Sequence, residues 1–128
     1  MTLINNSKKF LAIASFSMAI VIAVGAFGAH GIKSIVNDTM LQIYNTGVEY
    51  HFYNTLGLFI VAFLINFYPN SKKLILSAWL IFIGMNIFSF SLYLLVVLSM
   101  PVLGAITPIG GTLLIIAWII TTYVILKD

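Results

Sequence analysis

The sequence predicts an all-α membrane protein, an antiparallel four-helix transmembrane bundle with an up-down-up-down path. Two observations lead to this prediction: four long apolar runs, and lysines gathered at alternate ends of those runs. The runs are Phe10–Ala29, about Val48–Phe67, Leu74–Leu98 and Thr107–Leu126, and Glu49 is their one charged residue. Each run has about 20 residues or more, enough at a rise of 1.5 Å per residue to cross a hydrocarbon core of ~30 Å.

Length and composition indicate one transmembrane domain, residues 1–128. The chain is 62% hydrophobic and 7% charged, whereas soluble domains contain about 25% charged residues. The predicted spans lie at about 8–29, 46–67, 73–98 and 107–126. The chain has no cysteine, which excludes disulfides, thiolate catalysis and cysteine-ligated metal sites.

Each element has its own sequence signals. The runs are continuous rather than alternating, which predicts helices and not barrel strands. His30–Asp38 connects the first two helices, and residues 37–39 are favourable N-caps for the second. Tyr-Pro-Asn-Ser at 68–71 predicts a tight turn before the third helix. The 99–107 connection contains proline and glycine, and Pro108 suits the first turn of the fourth helix.

The lysines predict the orientation of the bundle. The side with the N-terminus, the 68–73 connection and the C-terminus carries five lysines, whereas the other side has only Lys33. Because basic residues are retained on the cytoplasmic side, we predict that both termini are cytoplasmic. The net charge of +3 then indicates contact with membrane lipids and not with nucleic acid. The first run exceeds the usual length of a signal peptide, about 7–15 apolar residues, so we expect it to be retained.

Polar residues within the runs are concentrated toward the extracytoplasmic helix ends. The candidates for a polar layer or ligand pocket are His30, Glu49, His51, Asn54, Asn86, Tyr93 and Thr107. Ionisable residues inside a span often mark a proton, ion or ligand path. The same residues also fit a packed structural layer. Glu49 in particular could lie only one turn deep, where it reaches water or pairs with Lys33 or a histidine.

Helical geometry separates Glu49 from His51. Successive residues turn by 100°, so the two side chains lie ~160° apart and cannot form a local acid–base pair. His51 shares its face with Gly47 and Asn54, and Glu49 projects from the opposite face. The chain has only two histidines, His30 and His51, so we predict no metal site and no cofactor.

Small residues and tryptophans suggest structural roles. We predict close helix packing at Gly25, Gly28, Gly31, Gly47, Gly110 and Gly111, because glycine lets membrane helices approach each other. Trp79 and Trp118 lie toward the predicted cytoplasmic ends of their runs, which is typical of interfacial anchors.

Four segments occur in order along the chain: Gly25–Gly31 (GAFGAHG), Thr46–His51 (TGVEYH), Ser91–Tyr93 (SLY) and Gly104–Gly111 (GAITPIGG). Together they resemble the YgdD/YwdK-like family of small bacterial inner-membrane proteins, which has a mitochondrial relative in animals. The resemblance implies a four-span protein of the bacterial cytoplasmic membrane without an established activity. The chain departs from the family pattern at Asn54, where histidine is frequent, and at Phe90, where glycine is usual. The first departure weakens any essential role for a histidine there, and the second implies altered packing of the third helix.

The sequence predicts a non-enzymatic membrane component, such as an accessory, assembly or envelope-stabilising protein. It contains no serine–histidine–acid or H-E-x-x-H pattern. The alternative is a protein that binds or transports a small ligand, such as a lipid, quinone or proton. Membrane lipids are the expected partners, together with a membrane protein or further copies of the chain, and we predict no nucleic-acid partner.

Overall fold

The protein is an all-α four-helix bundle. A computed structural model describes residues 2–127 and contains α1 (Asn5–His30), α2 (Asp38–Phe67), α3 (Lys72–Leu98) and α4 (Thr107–Lys127). Two short 3-10 segments, Ile32–Ser34 and Pro101–Ala105, lie in the connections. Over the described residues there is no strand, and all four helices are long and apolar enough to cross a membrane. The predicted all-α four-helix bundle is confirmed, and its up-down-up-down path stays a prediction.

The helix ends follow local capping signals. α2 starts at Asp38, eight residues before the predicted span start at 46, because the Asn37 side chain accepts a hydrogen bond from the Met40 N–H at 2.9 Å. Ser71 caps α3 in the same way, accepting from the Leu74 N–H at 3.3 Å. α3 ends at Leu98, and Ser99, which follows it, has a φ of 53° in the left-handed region. α2 therefore begins before the start of the predicted span. The bounds of the span itself remain a prediction.

α2 and α3 form the central pair of the bundle. α1 packs against α2, and α4 packs against α3. In the most apolar stretch of each helix, 44% of α2 and 50% of α3 are buried, against 22% of α1 and 28% of α4. The outer helices therefore present most of their apolar surface outward.

Side-chain contacts pair the start of α1 with the end of α2, and the start of α2 with the end of α1. The Ser7 hydroxyl donates to the Ala62 carbonyl at 2.8 Å, and the Tyr44 hydroxyl donates to the Val24 carbonyl at 2.7 Å. We call the two ends the lysine end, which holds Lys8, Lys9, Lys72, Lys73 and Lys127, and the tyrosine end, which holds Tyr44 and Tyr93. The path of these helices across a membrane remains a prediction.

α3 and α4 approach each other closely at Gly84 and Gly110. A Cβ on Gly110 would lie 2.5 Å from the Phe88 nitrogen and 2.7 Å from the Gly84 carbonyl oxygen. These are backbone atoms, which cannot turn aside as a side chain can. Glycine at position 110 therefore sets the distance between the two helices.

The other predicted packing glycines divide into two groups. Gly28 lies against the Tyr44 ring, and a Cβ on Gly47 would come within 2.8 Å of the Tyr93 ring. A Cβ on Gly25 would lie 3.4 Å from Val48 of α2, one on Gly111 would lie 3.7 Å from the Phe88 ring, and the nearest atoms to one on Gly31 belong to Phe27. Close helix packing at these three glycines stays a prediction.

Candidate functional site: the polar cluster at the tyrosine end

Tyr44 links the first two helices near the tyrosine end. Its ring lies against Gly28, where a side chain would collide with it, and its hydroxyl donates to the Val24 carbonyl. The Tyr44 side chain is 2% exposed, and its ring centroid lies 5.2 Å from that of Tyr93. The α1–α2 contact thus continues directly to α3.

His51 and Tyr93 form the centre of the cluster. The His51 Nδ1 and the Tyr93 hydroxyl lie 3.0 Å apart, within hydrogen-bond distance, and His51 is 1% exposed. One turn away the Ser89 hydroxyl donates to the Gly47 carbonyl at 2.7 Å. The absence of a side chain at Gly47 leaves room for the Tyr93 ring. α2 and α3 are therefore joined by two buried polar contacts.

A separate contact ties α3 to α4 close by. The Ser91 and Thr107 hydroxyls lie 2.6 Å apart, and Ser91 also donates to the Phe88 carbonyl at 2.7 Å. Asn86, by contrast, donates to the Phe82 carbonyl of its own helix at 2.7 Å. Thr107 therefore joins two helices, whereas Asn86 satisfies its amide within α3.

Asn54 lies deeper in the bundle than the rest of the cluster. Its Oδ1 accepts from the Trp118 indole N–H at 3.3 Å, and its Nδ2 donates to the Tyr50 carbonyl at 2.9 Å. The indole ring occupies the space that a side chain would take at Gly57. The Trp118 indole N–H is thus paired with a side chain of α2, nine residues before Lys127. Its role as an interfacial anchor stays a prediction.

Trp79 differs from Trp118 in its surroundings. It packs edge-on against the Phe10 ring at 5.1 Å, and the Lys9 ammonium lies 5.1 Å from its ring centroid. Trp79 is 36% exposed, so its indole faces outward at the lysine end. Its role as an anchor stays a prediction.

Glu49 and His30 lie outside the cluster. Both are exposed, and His30 is the last residue of α1. Glu49 lines a shallow groove of about 330 Å³ between α1 and α2, beside Gly25 and Tyr53. The seven predicted residues therefore do not form one continuous layer: His51 and Tyr93 meet, Thr107 and Asn54 make separate contacts, and Asn86, Glu49 and His30 join none of these.

Phe90, the departure in the third helix, is accommodated at the edge of the cluster. Its ring centroid lies 5.2 Å from Tyr93 and 5.8 Å from His51, and the residue is 37% exposed. It covers the histidine without entering the α3–α4 contact.

The polar side chains of the bundle interior are paired with backbone carbonyls or with one another. Within residues 2–127, no buried side-chain nitrogen or oxygen lacks a hydrogen-bond partner. The same residues contain no group of three histidines, cysteines or carboxylates that could hold a metal ion. Buried polar groups that are paired in this way stabilise and fix the packing of helices.

A groove not anticipated from the sequence runs between α2, α3 and α4. Its volume is about 670 Å³, and its lining residues are Tyr50, Asn54, Phe88, Gly111, Leu114, Ile115, Trp118, Ile119 and Thr122. The lining is mostly apolar, and the Asn54–Trp118 pair contributes to it. The sequence signal for it, a tryptophan and an asparagine at similar depth on different helices, depends on knowing which helices pack together.

Comparison with known proteins identifies the family. The model of a family described as "Protein of unknown function (DUF423)" matches residues 24–111. The chain belongs to this family. The matched DUF423 segment begins at Val24 and ends at Gly111, so it contains Tyr44, His51, Tyr93 and the Gly84–Gly110 contact.

Relatives of similar length are named as membrane proteins. The chain is 42% identical to the UPF0382 membrane protein YwdK of Bacillus subtilis over 120 residues, 94% of this chain and 98% of the relative. It is 38% identical to a UPF0382 membrane protein of Haemophilus influenzae over 116 residues, 91% of this chain and 92% of the relative. No solved structure matches the chain. The protein is thus a multi-pass membrane protein of the DUF423 family, and the resemblance noted from the sequence is confirmed.

Proposed function

We propose that this protein is a non-enzymatic membrane component, an accessory, assembly or envelope-stabilising protein that acts through its helices. The observation that carries the proposal is the complete internal pairing of the buried polar side chains between residues 2 and 127. A catalytic or transport site needs polar groups that are available to a substrate. His51 and Tyr93 are bonded to each other at 3.0 Å and are only 1% and 5% exposed, so neither is open to a substrate.

The proposed location is the bacterial cytoplasmic membrane, with both termini in the cytoplasm. Five of the six lysines lie at the lysine end, which the positive-inside rule assigns to the cytoplasmic side. The tyrosine end then faces outward. The outward apolar surfaces of α1 and α4 would contact lipid, a partner helix or a further copy of the chain.

The experiment compares His51→Ala with Glu49→Gln in a strain that lacks the native protein. His51 is 1% exposed and is bonded across two helices. Its loss should therefore lower two quantities to the same extent: the folded yield in detergent, and the ability of the variant to replace the native protein in the cell. Glu49 is exposed, and its substitution should change neither quantity. Normal folded yield of His51→Ala with complete loss of rescue would indicate a working site and refute the proposal.

The groove of about 670 Å³ favours a second candidate, the binding of a small lipophilic ligand such as a lipid or quinone. Gly111 lines this groove, and a Cβ there would make only ordinary contacts with the Phe88 ring. Gly111→Leu should therefore narrow the groove, and its unfolding in detergent checks that the α3–α4 contact is kept. Native mass spectrometry of gently extracted protein would then show loss of a retained ligand. Identical spectra without any bound small molecule in both forms would count against this candidate.

A further inference from the structure

A basic cleft lies at the lysine end, between the first turn of α3 and the last turn of α4. It has a volume of about 380 Å³ and is lined by Asn70, Ser71, Lys72, Lys73, Tyr123, Val124 and Lys127. Three of the protein's six lysines therefore line one cleft. This concentration is separate from the polar cluster at the other end of the bundle.

The charges in the cleft lack an acidic counterpart among the described residues. None of the lining side chains between residues 2 and 127 is acidic, and the first turn of α3 contains no acidic residue. Lysines at a helix N-terminus are opposed by the positive end of the helix dipole. Lys72 and Lys73 occupy the first two positions of α3. An anion in the cleft would relieve both the repulsion between the lysines and this unfavourable placement.

The shape of the cleft fits a headgroup with an attached apolar tail. Its wall combines the buried Val124 with Tyr123, which is 46% exposed. The Lys73 ammonium lies 4.8 Å from the Tyr123 ring centroid, so the aromatic ring holds one cation at the rim. Tyrosine and lysine at the end of a span are characteristic of the headgroup level of a bilayer.

We propose that this cleft binds the phosphate headgroup of an anionic phospholipid. The three ammonium groups supply the attraction, and the N–H groups of Lys72 and Lys73, which have no partner within the first turn of a helix, add donors for phosphate oxygens. Basic pockets between membrane helices recognise anionic headgroups in this way. The cleft adjoins the outward apolar surface of α4. This surface can contact acyl chains, which favours a phospholipid over an acidic protein segment.

The lysines at 8 and 9 provide a matched control. They carry the same two charges at the same end of the bundle, but they do not line the cleft, and the Lys9 ammonium lies 5.0 Å from the Phe10 ring centroid. A general effect of positive charge would be the same for both pairs. A specific site would depend on Lys72 and Lys73 and not on Lys8 and Lys9.

The test titrates the purified full-length chain in detergent with phosphatidylglycerol or phosphatidylcholine and counts bound lipids by native mass spectrometry. We expect the unmodified chain to retain one phosphatidylglycerol in preference to phosphatidylcholine. Lys72→Gln with Lys73→Gln should weaken that binding at least tenfold, and Lys8→Gln with Lys9→Gln by less than threefold. Equal losses from the two pairs, or no preference between the lipids, would overturn the proposal.

Two further arms keep the result interpretable. Inorganic phosphate at millimolar concentration should not displace the lipid. If phosphate does displace the lipid, the cleft is a site for free anions instead. Circular dichroism checks the fold of each variant. If the Lys72 and Lys73 double variant does not fold, Lys127→Gln replaces it, and unchanged lipid binding in that variant refutes the assignment.

Discussion

The contact between Gly84 and Gly110 makes a sharp prediction about adjacent glycines in α4. Gly110→Ala should destabilise the protein, whereas Gly111→Ala should not. A Cβ at position 110 would lie 2.5 Å from the Phe88 nitrogen and 2.9 Å from its Cα. A Cβ at position 111 would lie 3.7 Å from the nearest atom of the Phe88 ring, an ordinary contact.

The magnitude follows from two terms. Alanine is a better helix former than glycine by up to about 1 kcal/mol, and this gain applies equally to both positions. At position 110, relief of the clash requires α4 to move by roughly 0.9 Å, from 2.5 Å to an ordinary 3.4 Å, and overpacking of this kind costs about 1–3 kcal/mol. The helix term cancels in the comparison, so Gly110→Ala should be about 1–3 kcal/mol less stable than Gly111→Ala.

The assay is reversible unfolding of the full-length chain in detergent, followed by the helical circular dichroism signal. Gly84→Ala approaches the same contact from α3, since its Cβ would lie 3.0 Å from the Gly110 carbonyl oxygen. It should also destabilise, but less, because its other close neighbours are leucine side chains that can shift. Equal stability of the 110 and 111 variants would refute the inferred backbone contact.

Three further substitutions test other contacts by the same unfolding measurement. Tyr93→Phe removes the hydrogen bond to His51 but keeps the ring, and it should lower the free energy of unfolding by about 0.6–1.7 kcal/mol; no change would mean that the bond contributes nothing. Ser77→Ala removes the buried contacts of Ser77 with α4, including that with Thr121, and should cost about as much, with retention of full stability as the contrary result. Ser99→Gly should stabilise by about 1 kcal/mol, because glycine adopts the φ of 53° without strain, and a loss of stability would contradict that reasoning.

The fold was predictable because it depends on the apolar composition of segments about 20 residues long. The four apolar runs each became one helix, and the Asn37 cap predicted the start of α2 better than hydropathy did. Hydropathy does not identify residues 38–45 as part of a helix, because polar and apolar residues are mixed there. These residues extend α2 outward from the apolar run. Capping chemistry is local, so the sequence contains it directly.

The partners of the predicted site residues were less predictable, because they depend on rotation and depth. The sequence placed His51 and Tyr93 in the same region, but the bond between them depends on the faces that α2 and α3 turn toward each other. The contacts of Trp118 were not predictable for the same reason, since the sequence gives its distance from Lys127 but not that its indole packs against Gly57. Gly84 was missed because its importance exists only relative to Gly110.

Three aromatic rings occupy notches left by glycines on a neighbouring helix: Tyr44 at Gly28, Tyr93 at Gly47 and Trp118 at Gly57. Each ring is also fixed by a hydrogen bond, so it cannot swing aside to admit a methyl group. As the sequences of the family diverge, the glycine of such a pair can be replaced only when the partner ring moves or is replaced by a smaller side chain. The six positions therefore form three pairs. In the family, we expect the glycine and the aromatic residue of each pair to change together or not at all.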